Sequence, residues 1–189
     1  MDATPTVINA LSVLTVTGQG IGLLLILVLI HELMTGHTSA LSKFISSHAL
    51  LLMFVVALTA TSGSLFLSEI AGWAPCKDCW LQRIFMYPQV FMLGLALWKR
   101  DRHIAPYIIV LCFVGMYLSA DHYIDQVSAA LQLPTTDELK PCDTTGVSCA
   151  KTEIHFRFGY ITIPLMALTA FLLNTIGSLF VIRSRSSHS

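Results

Sequence analysis

Five long apolar runs, separated by short polar gaps, dominate this chain. They cover about Leu11 to Ile30, Ala49 to Ile70, Trp80 to Trp98, Ile104 to Ile124 and Tyr160 to Ile182. Each is close to the ~20 residues a helix needs to cross a bilayer. The third run is the least uniform, because its apolar core from Ile84 to Trp98 contains Pro88 and Gln89. Pro88 predicts a kink of the kind that neighbouring helices in a membrane bundle tolerate. The longest polar gap, 125–159, carries Pro134, Pro141, Thr144, Thr145 and Gly146 as helix breakers. Asp125 to Leu133 is predicted to continue as an amphipathic helical segment, and the rest of the gap to be mobile. Trp73, Trp80, Trp98 and Tyr160 fall where an aromatic interface belt is expected.

Composition agrees with membrane residence. Of 189 residues, 54% are hydrophobic and 12% charged, and the mean hydropathy is +0.71. Soluble proteins carry about 25% charged residues. The formal net charge is zero, which gives no electrostatic footprint for a nucleic-acid partner. Residues 1–20 lack the basic start of a secretory signal, so the first run is expected to stay as a membrane anchor.

Five spans place the termini on opposite sides. One side holds the 31–48 loop, the Lys99-Arg100-Asp101-Arg102-His103 turn and the Arg183/Arg185 tail, with six of the 11 Lys and Arg residues. The crowding of Lys99, Arg100 and Arg102 assigns that turn to the cytoplasm. The other side then holds two cysteine pairs, Cys76/Cys79 and Cys142/Cys149. That is the oxidising side, where disulfides persist.

A vicinal C-x-x-C with a second pair on a loop suggests a dithiol relay, since exchange between such pairs runs through mixed disulfides. Pro75 biases Ala74 away from helix, which predicts a third helix beginning near Cys79. A thiolate there would meet free backbone N–H groups and the helix dipole. Between Cys142 and Cys149 the small, flexible Asp-Thr-Thr-Gly-Val-Ser lets a disulfide close easily. A structural staple, or a four-thiolate zinc site made from both pairs, would use the same residues.

Arg83 follows Cys79 by four residues and therefore shares its helix face one turn deeper. A charge at that depth is costly and points to function. It can hold a cofactor oxygen beside Cys79, or snorkel to the interface. Gln82 can hydrogen-bond the same ligand or face the headgroups. Asp121, His122 and Asp125 cluster near the outer end of the fourth span, where His122 can serve as a proton donor or acceptor, or be a satisfied interfacial histidine. Glu153 and His155 read as solvated loop residues, and Cys112 as a small buried hydrophobe.

The run Cys76-Lys77-Asp78-Cys79-Trp80-Leu81-Gln82-Arg83-Ile84-Phe85-Met86-Tyr87-Pro88 resembles the signature of the disulfide bond formation protein B family, especially its BdbC-like branch. Asp121-His122-Tyr123 with Gln126, Pro141-Cys142 with Cys149, and Gly159-Tyr160-Ile161-Thr162-Ile163-Pro164 resemble further motifs of that branch. The resemblance covers about Ala49 to Ile182. It implies an all-α integral membrane protein, a four-helix transmembrane bundle, here with one additional N-terminal transmembrane helix. The expected division is 1–48 for that helix and its cytoplasmic loop, 49–182 for the bundle, and 183–189 for a tail.

The resemblance also implies a bacterial inner-membrane thiol oxidase. Its partner would be an extracytoplasmic thioredoxin-fold dithiol oxidase (DsbA/BdbD-like), and its cofactor a quinone, ubiquinone or menaquinone. The catalytic residues would be Cys142, which forms the mixed disulfide with the partner, Cys149, which exchanges with Cys76, and Cys79, which engages the quinone. Arg83 would lie beside the ring, with Gln82 and His122 as further cofactor contacts and no resident metal. Two departures stand out. The span Leu11–Ile30 is additional, and Asp121 occupies a position where the branch usually has Tyr. A membrane reductase working outward, or a scaffold stabilised by zinc or disulfides, would compete with the oxidase.

Overall fold

A computed structural model describes residues 3–133 and 157–186. The described chain forms five long helices: α1 (Thr4–Thr35), α2 (Ala40–Leu65), α3 (Lys77–Lys99), α4 (Ala105–Ala130) and α5 (Ile163–Ser186). The protein is an all-α integral membrane protein. Four stretches are long and apolar enough to cross a membrane: Thr4–Thr35, Ala40–Ile70, Arg102–Ala130 and Ile163–Ser184. Helix α3 is long enough but more polar, because Asp78, Gln82, Arg83 and Gln89 are turned inward and buried. Its neighbours shield those groups from lipid, which is what permits them at membrane depth.

Local chemistry explains the helix ends. Pro5 opens α1, and Gly36 closes it in the left-handed region at φ 72°, donating its N–H to the Glu32 carbonyl. Ser39 caps α2 by accepting from the Ser42 N–H. A π-helical turn, Phe66–Ile70, ends the second span. A 3-10 turn, Arg102–Ile104, follows the left-handed Arg100 and leads into α4. The α4 helix continues to Ala130, covering most of the predicted Asp125 to Leu133 segment, and stops before a turn that holds Gln132 at φ 58°. Before α5, Arg157 and Ile161 exchange two backbone hydrogen bonds around a tight turn that holds Gly159 at φ 82°.

Helices α2, α3, α4 and α5 pack in a ring, each against the next, with α5 closing onto α2. Their shared core contains Leu50, Met53, Met86, Leu93, Ile108, Cys112 and Phe171. Two glycines permit the closest approaches. A Cβ on Gly115 would lie 2.4 Å from the Phe171 ring, and one on Gly177 would lie 2.6 Å from Met53. In the middle of the ring, Gln89 Oε1 accepts from Asn174 Nδ2 at 2.8 Å and from the Cys112 thiol at 3.5 Å. Cys112 is thus buried as expected, with a polar neighbour added.

Helix α1 lies outside the ring, mainly against α5 and lightly against α2. Leu25 and Leu29 pack on Ile176 and Phe180. At the predicted cytoplasmic end, buried Glu32 accepts from the N–H and hydroxyl of Ser39, both at 2.7 Å, and pairs with Arg183 at 3.5 Å. Nearer the other end, Gln19 accepts from the Tyr160 hydroxyl at 2.8 Å and donates to Thr169.

Candidate functional site

The start of α3 forms the floor of the site. Cys76 is its N-cap, with extended backbone (ψ 174°), and its Sγ accepts from the Cys79 N–H at 3.4 Å. The helix therefore starts at Lys77 rather than near Cys79. The cause is the sulfur itself, which supplies the acceptor that the first turn needs. The free N–H groups and dipole of the first turn consequently favour negative charge on Cys76, where the sequence alone points to Cys79. The two sulfurs are 3.1 Å apart, and Cys76 is buried while Cys79 is half-buried.

Four residues on, Arg83 is 7% exposed. Its Nε donates to Ser64 Oγ at 3.0 Å and one Nη to the Ser64 carbonyl at 3.1 Å. The Tyr87 hydroxyl donates to the same Ser64 Oγ at 3.3 Å. The guanidinium carbon sits 5.1 Å from the centre of the Trp80 ring, within cation–π range. Arg83 has no carboxylate partner among the described residues, and its Nη1 makes no hydrogen bond there. Burying an unpaired cation is expensive. Ser64 anchors Arg83 in the interior, so the outward-snorkelling alternative does not apply.

Helix α4 supplies the third side. His122, 2% exposed, lies with Nε2 3.7 Å from Cys76 Sγ. Its Nδ1 is 2.9 Å from Gln82 Nε2. The Gln82 amide and the Cys76 sulfur engage opposite nitrogens of the one ring, which fixes its orientation. Gln126 lies 3.5 Å from the same Nε2. Gln82 thus orients His122 rather than facing the headgroups. Cys76, Cys79 and His122 offer three ligand atoms within 4.8 Å of one another, and so do Asp78, Asp121 and Asp125. The first set would fill three of the four positions of a tetrahedral zinc.

A cavity of about 370 Å³ adjoins these groups, at the small end of the usual range for small-molecule sites. Cys76, Cys79, Gln82, Arg83, His122 and Gln126 all line it. The structure therefore brings together the first cysteine pair and all three other candidate residues. Cys142, Cys149, Glu153 and His155 lie outside the described residues. The sequence did not single out Ser64 or the role of Tyr87. The signal was the cluster Thr59, Thr61, Ser62, Gly63, Ser64 in an otherwise apolar span, because small polar residues there mark helix–helix contacts.

Comparison with known proteins points the same way. The family described as Disulfide bond formation protein DsbB matches residues 46–181. Disulfide bond formation protein C of Bacillus subtilis (strain 168) is 42% identical over 120 residues, 64% of this chain and 82% of that protein. A probable disulfide formation protein C of Halalkalibacterium halodurans is 41% identical over 133 residues, 70% of this chain and 91% of the other. A probable disulfide formation protein of Metapseudomonas resinovorans is 35% identical over 138 residues, 73% of this chain and 91% of the other. No solved structure matches. A helical membrane bundle with a cysteine pair lining a cavity, matched by this family over most of its length, belongs to the DsbB family of disulfide bond formation proteins.

Proposed function

We propose that the chain is a protein-dithiol:quinone oxidoreductase of the bacterial inner membrane. It reoxidises an extracytoplasmic thioredoxin-fold dithiol oxidase and so sustains protein disulfide bond formation. The observation that carries this reading is the shared cavity wall. A redox-capable cysteine pair and a buried cation without a carboxylate partner, its Nη1 donor unused among the described residues, face one space. That pairing fits a quinone, which needs a thiol beside its ring and a donor for its oxygen. Ubiquinone and menaquinone both satisfy it.

The relay balances as two-electron exchanges. The partner dithiol loses two electrons and two protons, and the Cys142–Cys149 disulfide becomes a dithiol. That dithiol reduces the Cys76–Cys79 disulfide by exchange, with Cys149 attacking Cys76. Cys142 forms the mixed disulfide with the partner. A bound quinone supplies the acceptor for the two electrons and two protons that leave Cys76 and Cys79 as their disulfide re-forms. Cys79 would face the bound quinone, and Arg83 Nη1 would donate to its oxygen and favour negative charge there. His122, oriented by Gln82, has Nε2 3.7 Å from Cys76 Sγ and is placed to exchange a proton with that sulfur as Cys76 leaves a mixed disulfide. Both cysteine pairs face the extracytoplasmic side in this reading, and residues 49–182 carry the relay.

The test is anaerobic quinone reduction by purified protein with a reduced thioredoxin-fold oxidase as donor. Turnover that disappears in Cys79→Ser is expected. Absence of turnover with any quinone, from folded protein with intact disulfides, would overturn the oxidase. The zinc-scaffold alternative draws on the Cys76, Cys79, His122 cluster; stoichiometric zinc by elemental analysis, with function insensitive to thiol alkylation, would establish it instead.

A further inference from the structure

The family match begins at residue 46, so α1 lies outside it. Yet Leu11, Leu14, Thr15, Gly18 and Ile21 of α1 line the cavity that holds Cys79 and Arg83. On α2 and the π-helical turn that continues it, the lining runs from Ser68 inward to Val55, about 20 Å of helix rise. The ionisable and amide side chains come from the outer ends of α3 and α4. The deeper lining, from Ile21, Val55, Val56, Ala170 and Leu173, is apolar. Thr15 and Thr169 spend their hydroxyl hydrogens on carbonyls of their own helices, Leu11 and Leu165. The cavity is therefore polar at one end and greasy along the rest.

The seam between α1 and α2 is lightly packed, and exposed lining residues flank it on both sides, Leu14 and Ile21 on α1 and Val55 on α2, which places the cavity's open side there. Leu11 covers Gly63 so closely that a Cβ there would lie 3.0 Å away, which closes the seam near the site. Glu32 bonded to Ser39 closes it at the far end. Between them Leu14 and Ile21 line the cavity while remaining 55% and 49% exposed. The cavity thus communicates with the bilayer midway along the seam.

We propose that α1 forms the wall of a tail subsite: the apolar chain of a lipid-borne quinone lies against Leu14 and Ile21 and leaves through the α1–α2 seam. This rests on the oxidase reading. The cavity is too small for a long chain, so the ring and the first part of the tail are held and the remainder stays in lipid. Lipid is as apolar as this wall, so the gain is close packing rather than dehydration. Helix α1 therefore selects for tail shape and acts little on the ring.

The experiment uses the full chain in nanodiscs, with Leu14→Trp and Ile21→Trp as lining variants. Val13→Trp and Leu24→Trp, on exposed parts of α1 outside the lining, serve as controls. Two quinones with the same ring are compared, one with a long polyprenyl chain and one with a methyl in its place. The KM ratio of long-chain to short-chain quinone is measured, together with long-chain quinone retained per mole of washed protein. The lining variants are expected to raise the ratio and lower retention by about fivefold, the size of a modest packing loss. A ratio unchanged in both lining variants, or raised equally in the controls, would overturn the subsite. Failure of the unaltered protein to reduce either quinone would instead sink the oxidase reading, and the subsite with it.

Discussion

Replacing Ser64 by alanine tests whether Arg83 is a positioned group. Ser64 Oγ accepts from Arg83 Nε at 3.0 Å and from the Tyr87 hydroxyl at 3.3 Å. A hydrogen bond to a charged group contributes about 1.5–3 kcal/mol in proteins generally, whereas interhelical bonds in membranes average about 0.6 kcal/mol. Two features place this case between those figures. The Nε–H would be left facing a methyl group in a buried site, which raises the cost. The Ser64 carbonyl and the Trp80 ring would still hold the guanidinium, which lowers it. About 1.4 kcal/mol follows, equivalent to a tenfold change in an equilibrium constant. Ser64→Ala should therefore raise the KM for quinone about tenfold and leave the KM for the dithiol partner unchanged. Ser64→Thr, which keeps the oxygen, should recover most of the loss. Steady-state kinetics with each substrate varied in turn reads both constants. An unchanged quinone KM in Ser64→Ala, or equal losses in the alanine and threonine variants, would refute the positioning role.

Other predictions follow from neighbouring geometry. Cys142→Ser should abolish oxidation of the partner, while the Cys76/Cys79 pair still oxidises when quinone is added to chemically reduced protein; loss of both activities would contradict the assigned order. Gln82→Leu removes the partner of His122 Nδ1 at 2.9 Å and should slow disulfide exchange at Cys76 about tenfold, a loss of roughly one hydrogen bond, measured by stopped-flow thiol exchange. Gly115→Ala drives a methyl to 2.4 Å from the buried Phe171 ring. It should cost about 1–3 kcal/mol by overpacking, seen as a lowered thermal midpoint in detergent, and an unchanged midpoint would mean that α4 and α5 separate freely. Glu32→Gln weakens the bonds to Ser39 and Arg183 and should destabilise the docking of α1 by about 1–3 kcal/mol, read as faster proteolysis within residues 36–39.

The continuous apolar runs were enough to identify five helices in a membrane protein, because a bilayer demands about 20 apolar residues from any spanning helix. The C-x-x-C and the four-residue step from Cys79 to Arg83 were legible for a related reason. They lie on one helix, whose periodicity sets their relative positions. The start of α3 was misplaced by about one half-turn, since local rules do not count a cysteine sulfur as a cap. Tertiary structure alone decided the rest. Ser64 meets Arg83 and Tyr87 across two helices, and His122 meets Cys76 and Gln82 from a third. Leu14 and Ile21 reach the cavity only because α1 docks on α5 beside α2. Each pairing depends on how helices rotate and cross, which is set by close contacts such as Gly115 under Phe171 and Leu11 over Gly63. In lipid, where hydrophobicity no longer separates inner faces from outer ones, those packing contacts carry the information that the apolar pattern leaves out.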